Sequence, residues 1–226
     1  MATEWNQAGE DSAAGTDEIS ATAITSEPPT TAGWEQAAVA MNSVLQLSIP
    51  MLMKMEFDAH DPLFIDFRYR AFAWSTPLSA FPEDAVLAGL QTQPTDLEAG
   101  LLFDLPGQPL DGLLWLIGLN SFHGARAPWL APNERYKLSR WPNLTQHRHT
   151  MRQMQMLAVL GNAYVSAGEL ADMAGVDNSE AQSLINALSL LRILNRSVQA
   201  PAAVVAAPQA TKRESLFSRL RARLGR

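Results

Sequence analysis

Asp58, His60 and Asp61 set two carboxylates beside an imidazole, the combination that hydrolases use to move protons and that metal sites use as ligands. A base of that kind needs a third group to orient it, and a metal needs ligands at a recognisable spacing. Neither accompanies this trio, and Pro62 directly after it favours a solvated turn. His147 and His149 form a second titratable pair at a helix start. On a helix, positions two apart diverge, so joint metal ligation would require an extended backbone. No G-x-x-x-x-G-K, G-x-G-x-x-G or G-x-S-x-G pattern occurs, and the chain contains no Cys. Phosphate loops, dinucleotide sites, nucleophile elbows and thiolate chemistry therefore have no carrier here. The expectation is a chain that is not an enzyme and holds no cofactor or metal, with a hydrolase acting through Asp58 and His60 as the remote alternative.

The other polar groups that could engage something are amides and hydroxyls in a strongly patterned stretch from Ser166 to Asn195. Ser166 and Glu169 spell an S-x-x-E capping box, and Asp177 and Glu180 repeat the spacing, so two helices are predicted with Gly175 at the turn between them. On the second helix Leu184, Ile185, Leu188 and Leu191 make a buried stripe. Asn178, Gln182 and Asn186, with Ser179, Ser183 and Ser189, are then expected to face outward as the partner-binding surface. Residues 147–198 resemble the winged-helix or helix-turn-helix superfamily through the A-x-x-x-G spacing of Ala171 and Gly175 and the apolar pattern around it, over about a quarter of the chain. The resemblance implies that fold, and the family's usual role would be DNA binding.

Charge separates the two uses of such a face. Between His147 and Arg196, four arginines (Arg148, Arg152, Arg192 and Arg196) stand against four acids (Glu169, Asp172, Asp177 and Glu180). Affinity for DNA comes largely from Lys and Arg on phosphates, and Asp177 and Glu180 would lie at the helix end that approaches a groove. A protein partner is favoured over DNA on that ground, and a DNA-binding regulator is the alternative.

The second signal is the C-terminal tail, where Lys212, Arg213, Arg219, Arg221, Arg223 and Arg226 face one acid, Glu214. The chain carries 17 basic and 23 acidic residues, so taking the tail away leaves 11 and 22, a body of net charge −11. Leu216, Phe217, Leu220 and Leu224 fall within about 100° of a helical wheel, while Arg219, Arg223 and Arg226 cluster off the stripe. Residues 211–226 are thus predicted to form a basic amphipathic helix. It could dock on an anionic membrane surface, in the groove of a protein partner, or on the chain's own acidic body.

These groups are set in an α+β arrangement. Residues 1–33 are rich in Ala, Thr, Ser, Gly and Glu without Lys or Arg, and read as a disordered acidic leader. Residues 34–144 read as a small α+β domain. In it a helix runs over Trp34–Leu47, a hairpin over Leu63–Trp74 turns at Arg68–Arg70, and a third strand covers Val86–Gln93. A nearly all-apolar helix then starts after Pro109 and ends near Gly124, and a short strand covers Arg135–Arg140. Residues 145–198 form the winged-helix-like unit, with a first helix from His147 to Leu160 and a closing strand over Ile193–Val198. Residues 199–210 are a Pro/Ala linker. The methionines at 41, 51, 53, 55, 151, 154 and 156 are expected to fill the core. No window approaches the roughly 18 apolar residues of a membrane span, and a cytoplasmic setting, with the tail possible at a membrane periphery, is the expected location.

Overall fold

The computed structural model describes residues 33–47, 49–95, 107–143 and 149–198, and shows an α+β fold. The expected helix at the start is α1, Trp34–Gln46, whose buried Trp34, Ala37, Ala38, Met41 and Val44 repeat at helical spacing before Pro50 ends it. An antiparallel five-stranded sheet follows, in the order β4-β1-β2-β3-β5. It consists of β1 (Met51–Phe57), β2 (His60–Asp66), β3 (Ala71–Ala73), β4 (Leu87–Pro94) and β5 (Gln108–Pro109).

Sequence reading missed β1, because MLMKMEF is methionine-rich and lacks the β-branched residues that advertise a strand. It pairs with β2 through Met53↔Ile65 and Met55↔Leu63 and with β4 on its other side, so it lies inside the sheet. Strand β2 begins three residues earlier than the pattern suggested. Its Pro62 is tolerated because β3 reaches back only as far as Phe64↔Ala73, leaving that end of β2 without a neighbour on the β3 side. Asp66, the last residue of β2 before the turn to β3, is fully buried, with its carboxylate on the Arg68 guanidinium at 2.7 Å and on the Arg68 amide at 3.0 Å. Arg70 in the same turn pairs with Asp111 at 2.6 Å, and its carbonyl accepts from the Leu110 amide, which ties the hairpin to the next helix.

That helix is α2, Leu110–Asn120, preceded by Pro109 and buried over most of its circumference, as its composition required. It stops at Asn120, one turn before the expected end, and Ser121 to Gly124 form a turn in which His123 and Gly124 adopt positive φ. After β6 (Arg135–Leu138) come α3 (Met151–Asn162), α4 (Ala167–Ala174), α5 (Asn178–Leu190) and β7 (Leu194–Ser197). Strands β6 and β7 pair antiparallel, and Tyr136 also bridges Val165 between α3 and α4. Helix α3 begins at Met151 and not at His147, because Thr150 and Gln153 form a full capping box there. The T-x-x-Q spelling was present in the sequence.

The Ser166–Glu169 box forms as predicted, and Gly175 ends α4 at φ +65°. Arg135 adds a guanidinium at 2.6 Å from Glu169. Donation from the Ser166 amide, helped by the Ser166 hydroxyl and by Arg135, holds the Glu169 carboxyl below the usual carboxylate range despite some desolvation. The second expected box does not form. Asp177 makes no side-chain cap, and Glu180 reaches across to Arg152 on α3 at 3.6 Å instead. Helix α5 closes in a Schellman turn, with the Arg192 amide on the Ser189 carbonyl and the Ile193 amide on the Leu188 carbonyl. Arg192 occupies the left-handed position at φ +61° that glycine usually takes.

The expected boundary at 144/145 does not separate two cores. One hydrophobic cluster runs from Trp34 to Ile193, and α2 packs on α5. The crossing is tight: a Cβ on Gly118 would lie 2.4 Å from the Ala187 Cα, so only glycine lets the two backbones meet. Of the methionines, 41, 51, 53, 55 and 156 are buried and Met154 is half-buried, whereas Met151 is 75% exposed on the first turn of α3. No helix among the described residues is long and apolar enough to cross a membrane. The leader up to residue 32, the linker from residue 199 and the tail lie outside the described residues.

Candidate functional site

The polar face expected on α5 is mostly internal. Asn178 is exposed, but Gln182 is 7% exposed and Asn186 is fully buried. Asn186 accepts from the Ala127 amide at 3.1 Å and donates to the Ala125 carbonyl at 2.8 Å, and Gln182 donates to it at 2.9 Å. Ser189 takes the Trp129 indole N–H at 2.9 Å and donates to the Asn186 carbonyl. The loop 121–130 thus lies over the face that an isolated two-helix motif would leave to solvent. Helical periodicity marks which residues share a side, but not which side another segment covers; the outward assignment of Gln182 and Asn186 is corrected on that ground.

Asp58, His60 and Asp61 are exposed at the β1–β2 turn and the start of β2. Asp61 is engaged locally: its carboxylate accepts from the Ser75 hydroxyl at 2.6 Å and its carbonyl from the Trp74 indole at 2.9 Å. His60 lies edge-on to Trp74, with ring centroids 6.4 Å apart. Among the described residues no three His, Asp or Glu side chains come together as a metal site would require. His147 lies outside the described residues, and His149 precedes the Thr150 cap in non-helical backbone.

What the fold does assemble is a cleft of about 500 Å³ built from four separate elements. Leu78, Ser79, Phe81 and Glu83 come from the 3-10 turn at Leu78–Ala80 and the loop after it. Leu116, Leu119 and Asn120 come from α2, His149, Thr150 and Gln153 from the start of α3, and Glu180 and Ser183 from α5. Each wall is fixed from behind. Phe81 stacks on Trp34 at 4.6 Å, and the Trp34 indole donates to the Pro82 carbonyl at 2.7 Å, which pins the loop to α1. The Thr150–Gln153 box sets the start of α3, and Arg152 to Glu180 links α3 to α5 across the rim. Leu78, Phe81, Leu116 and Leu119 are each only partly buried, so apolar surface meets solvent there, and the lining also holds two carboxylates, Glu83 and the Arg152-paired Glu180. No sequence pattern pointed to it, because its residues run from Leu78 to Ser183 and each alone reads as ordinary helix or loop.

A second depression, lined by Gln46, Ser189, Arg192, Leu194 and Arg196, is more polar and presents two guanidiniums, of which Arg196 is held by the Trp129 carbonyl at 3.1 Å. Comparison of the chain with protein-family models, with curated proteins and with solved structures finds no match to any of them.

Proposed function

We propose that this chain is a non-enzymatic adaptor that works by protein contact, and that the cleft between the 78–83 loop, α2, α3 and α5 receives an amphipathic helix with a basic border. The observation that carries the reading is the composition of that cleft: Leu78, Phe81, Leu116 and Leu119 offer apolar area, and Glu83 and Glu180 stand beside it. A helix placed in such a groove buries its apolar stripe while its basic residues meet the rim, and burial of each leucine-sized side chain contributes about 2 kcal/mol before ordering costs. The α3–α5 region, with its winged-helix resemblance, then serves as a scaffold, since the amides of Gln182 and Asn186 are engaged within the protein. The DNA-binding alternative draws no support from that face.

A designed 16-residue helix with leucines at i, i+3, i+4 and i+7 and flanking arginines is the probe, and NMR shift mapping is the readout. The recipient is the full-length chain carrying Leu220→Asp, so that its own amphipathic tail does not compete. Shifts should concentrate at Leu78, Phe81, Leu116, Leu119, Gln153 and Ser183. Shifts centred elsewhere, or none at millimolar probe, contradict the reading.

A further inference from the structure

We infer that the cleft is occupied by the chain's own C-terminal segment, residues 211–226, which acts as a displaceable plug. The inference rests on the reading of the cleft as a site for an amphipathic helix, and adds the identity of the occupant. Three observations converge on it. The first is apolar fit: a helix over 211–226 would carry Leu216, Phe217, Leu220 and Leu224 on one stripe, and the cleft presents four partly buried apolar side chains to receive them.

The second is charge. The tail holds six of the chain's 17 basic residues, whereas the rest of the chain carries 22 acids to 11 bases. On a helix Arg219 and Arg223 would flank the stripe, where they can meet Glu83 at the cleft and compete with Arg152 for Glu180. The third is reach. The described residues end at Val198, and residues 199–210, between them and the tail, are rich in Pro and Ala. Twelve extended residues at about 3.1 Å each reach roughly 37 Å, against a radius of gyration of about 15 Å for a body of this size. A segment tethered that way acts at an effective concentration on the order of a millimolar, so an interaction weak in trans is saturated in cis.

A fluorescent peptide of residues 211–226, added to full-length chains and read by anisotropy, tests this. Wild-type chain should bind it at least tenfold more weakly than chain carrying Leu220→Asp, because the wild-type tail already fills the cleft. Adding Glu83→Lys and Glu180→Lys to the Leu220→Asp chain should lower affinity at least tenfold, and a peptide carrying Arg219→Glu and Arg223→Glu should recover part of the loss. All replaced residues lie in the tail or at the cleft's rim, and melting curves confirm that each variant is folded. Equal binding to wild-type and Leu220→Asp chains overturns the inference, as does peptide that binds anionic vesicles but no form of the protein. If the tail peptide fails while the designed helix still maps to the cleft, only the plug is lost; if both fail, the adaptor reading falls with it.

Discussion

Replacing Gly118 by Ala lowers stability by about 3 kcal/mol, the upper end of what overpacking usually costs. The sign is the informative part. At an exposed mid-helix position the same change stabilises by roughly 0.5–1 kcal/mol, because alanine loses less backbone entropy than glycine. Here the added Cβ would sit 2.4 Å from the Ala187 Cα and 3.0 Å from the Ala187 amide nitrogen. Those are backbone atoms of a helix buried over most of its length, so neither can swing aside as a flexible side chain would. Relief requires α2 and α5 to move apart, which opens the junction that unites the sheet with the three C-terminal helices. Urea denaturation of the variant measures the effect, and a stabilised protein would mean that the helices do not cross at this point.

Asn186→Ala has an effect of similar size by a different route, about 3 kcal/mol. The side chain is fully buried and joins three groups: the Ala127 amide, the Ala125 carbonyl and the Gln182 carboxamide. Truncation leaves the Ala127 N–H and the Gln182 amide in the interior without their partner, and an orphaned buried group costs about 1–3 kcal/mol. An asparagine whose task was to touch an external partner would behave otherwise, changing stability by no more than about 0.5 kcal/mol when removed. Equilibrium unfolding of this one variant therefore distinguishes an internal strut from a contact residue.

Much of the architecture was legible because local chemistry is written locally. Ser166 and Glu169 announced a helix start, Gly175 a turn, and Pro109 the entry to an apolar helix, and all three are where they were expected. Strand β1 was legible only in its alternation, Met53, Met55 and Phe57 against Lys54 and Glu56; the run is short, and its methionines lack the β-branching that marks a strand. The Glu180 half of the second box fails for a related reason: Glu180 has a competing partner in Arg152, 28 positions away, and short-range spelling is silent about such rivals.

The candidate site was the least legible part. Its lining joins Leu78 to Ser183 through four elements, so it exists only once α2 has seated on α5 and Trp34 has pinned Phe81. The same seating turned Gln182, Asn186 and Ser189 from an expected surface into an internal network with Trp129. A two-helix motif read by itself exposes that face. In this chain the loop 121–130 that follows α2 occupies it.

Native-state amide hydrogen exchange of the full-length chain asks directly whether α5 belongs to both halves. Because α5 touches α2 on one side and α4 on another, the amides of Gln182–Leu190 should open only with the whole molecule. Their exchange free energies should equal those of the α2 amides and the global value from denaturant unfolding. Exchange of α5 together with α3 and α4 at a distinctly lower free energy than α2 and the sheet would contradict this, and would mark a separable unit whose polar face is free to meet a partner.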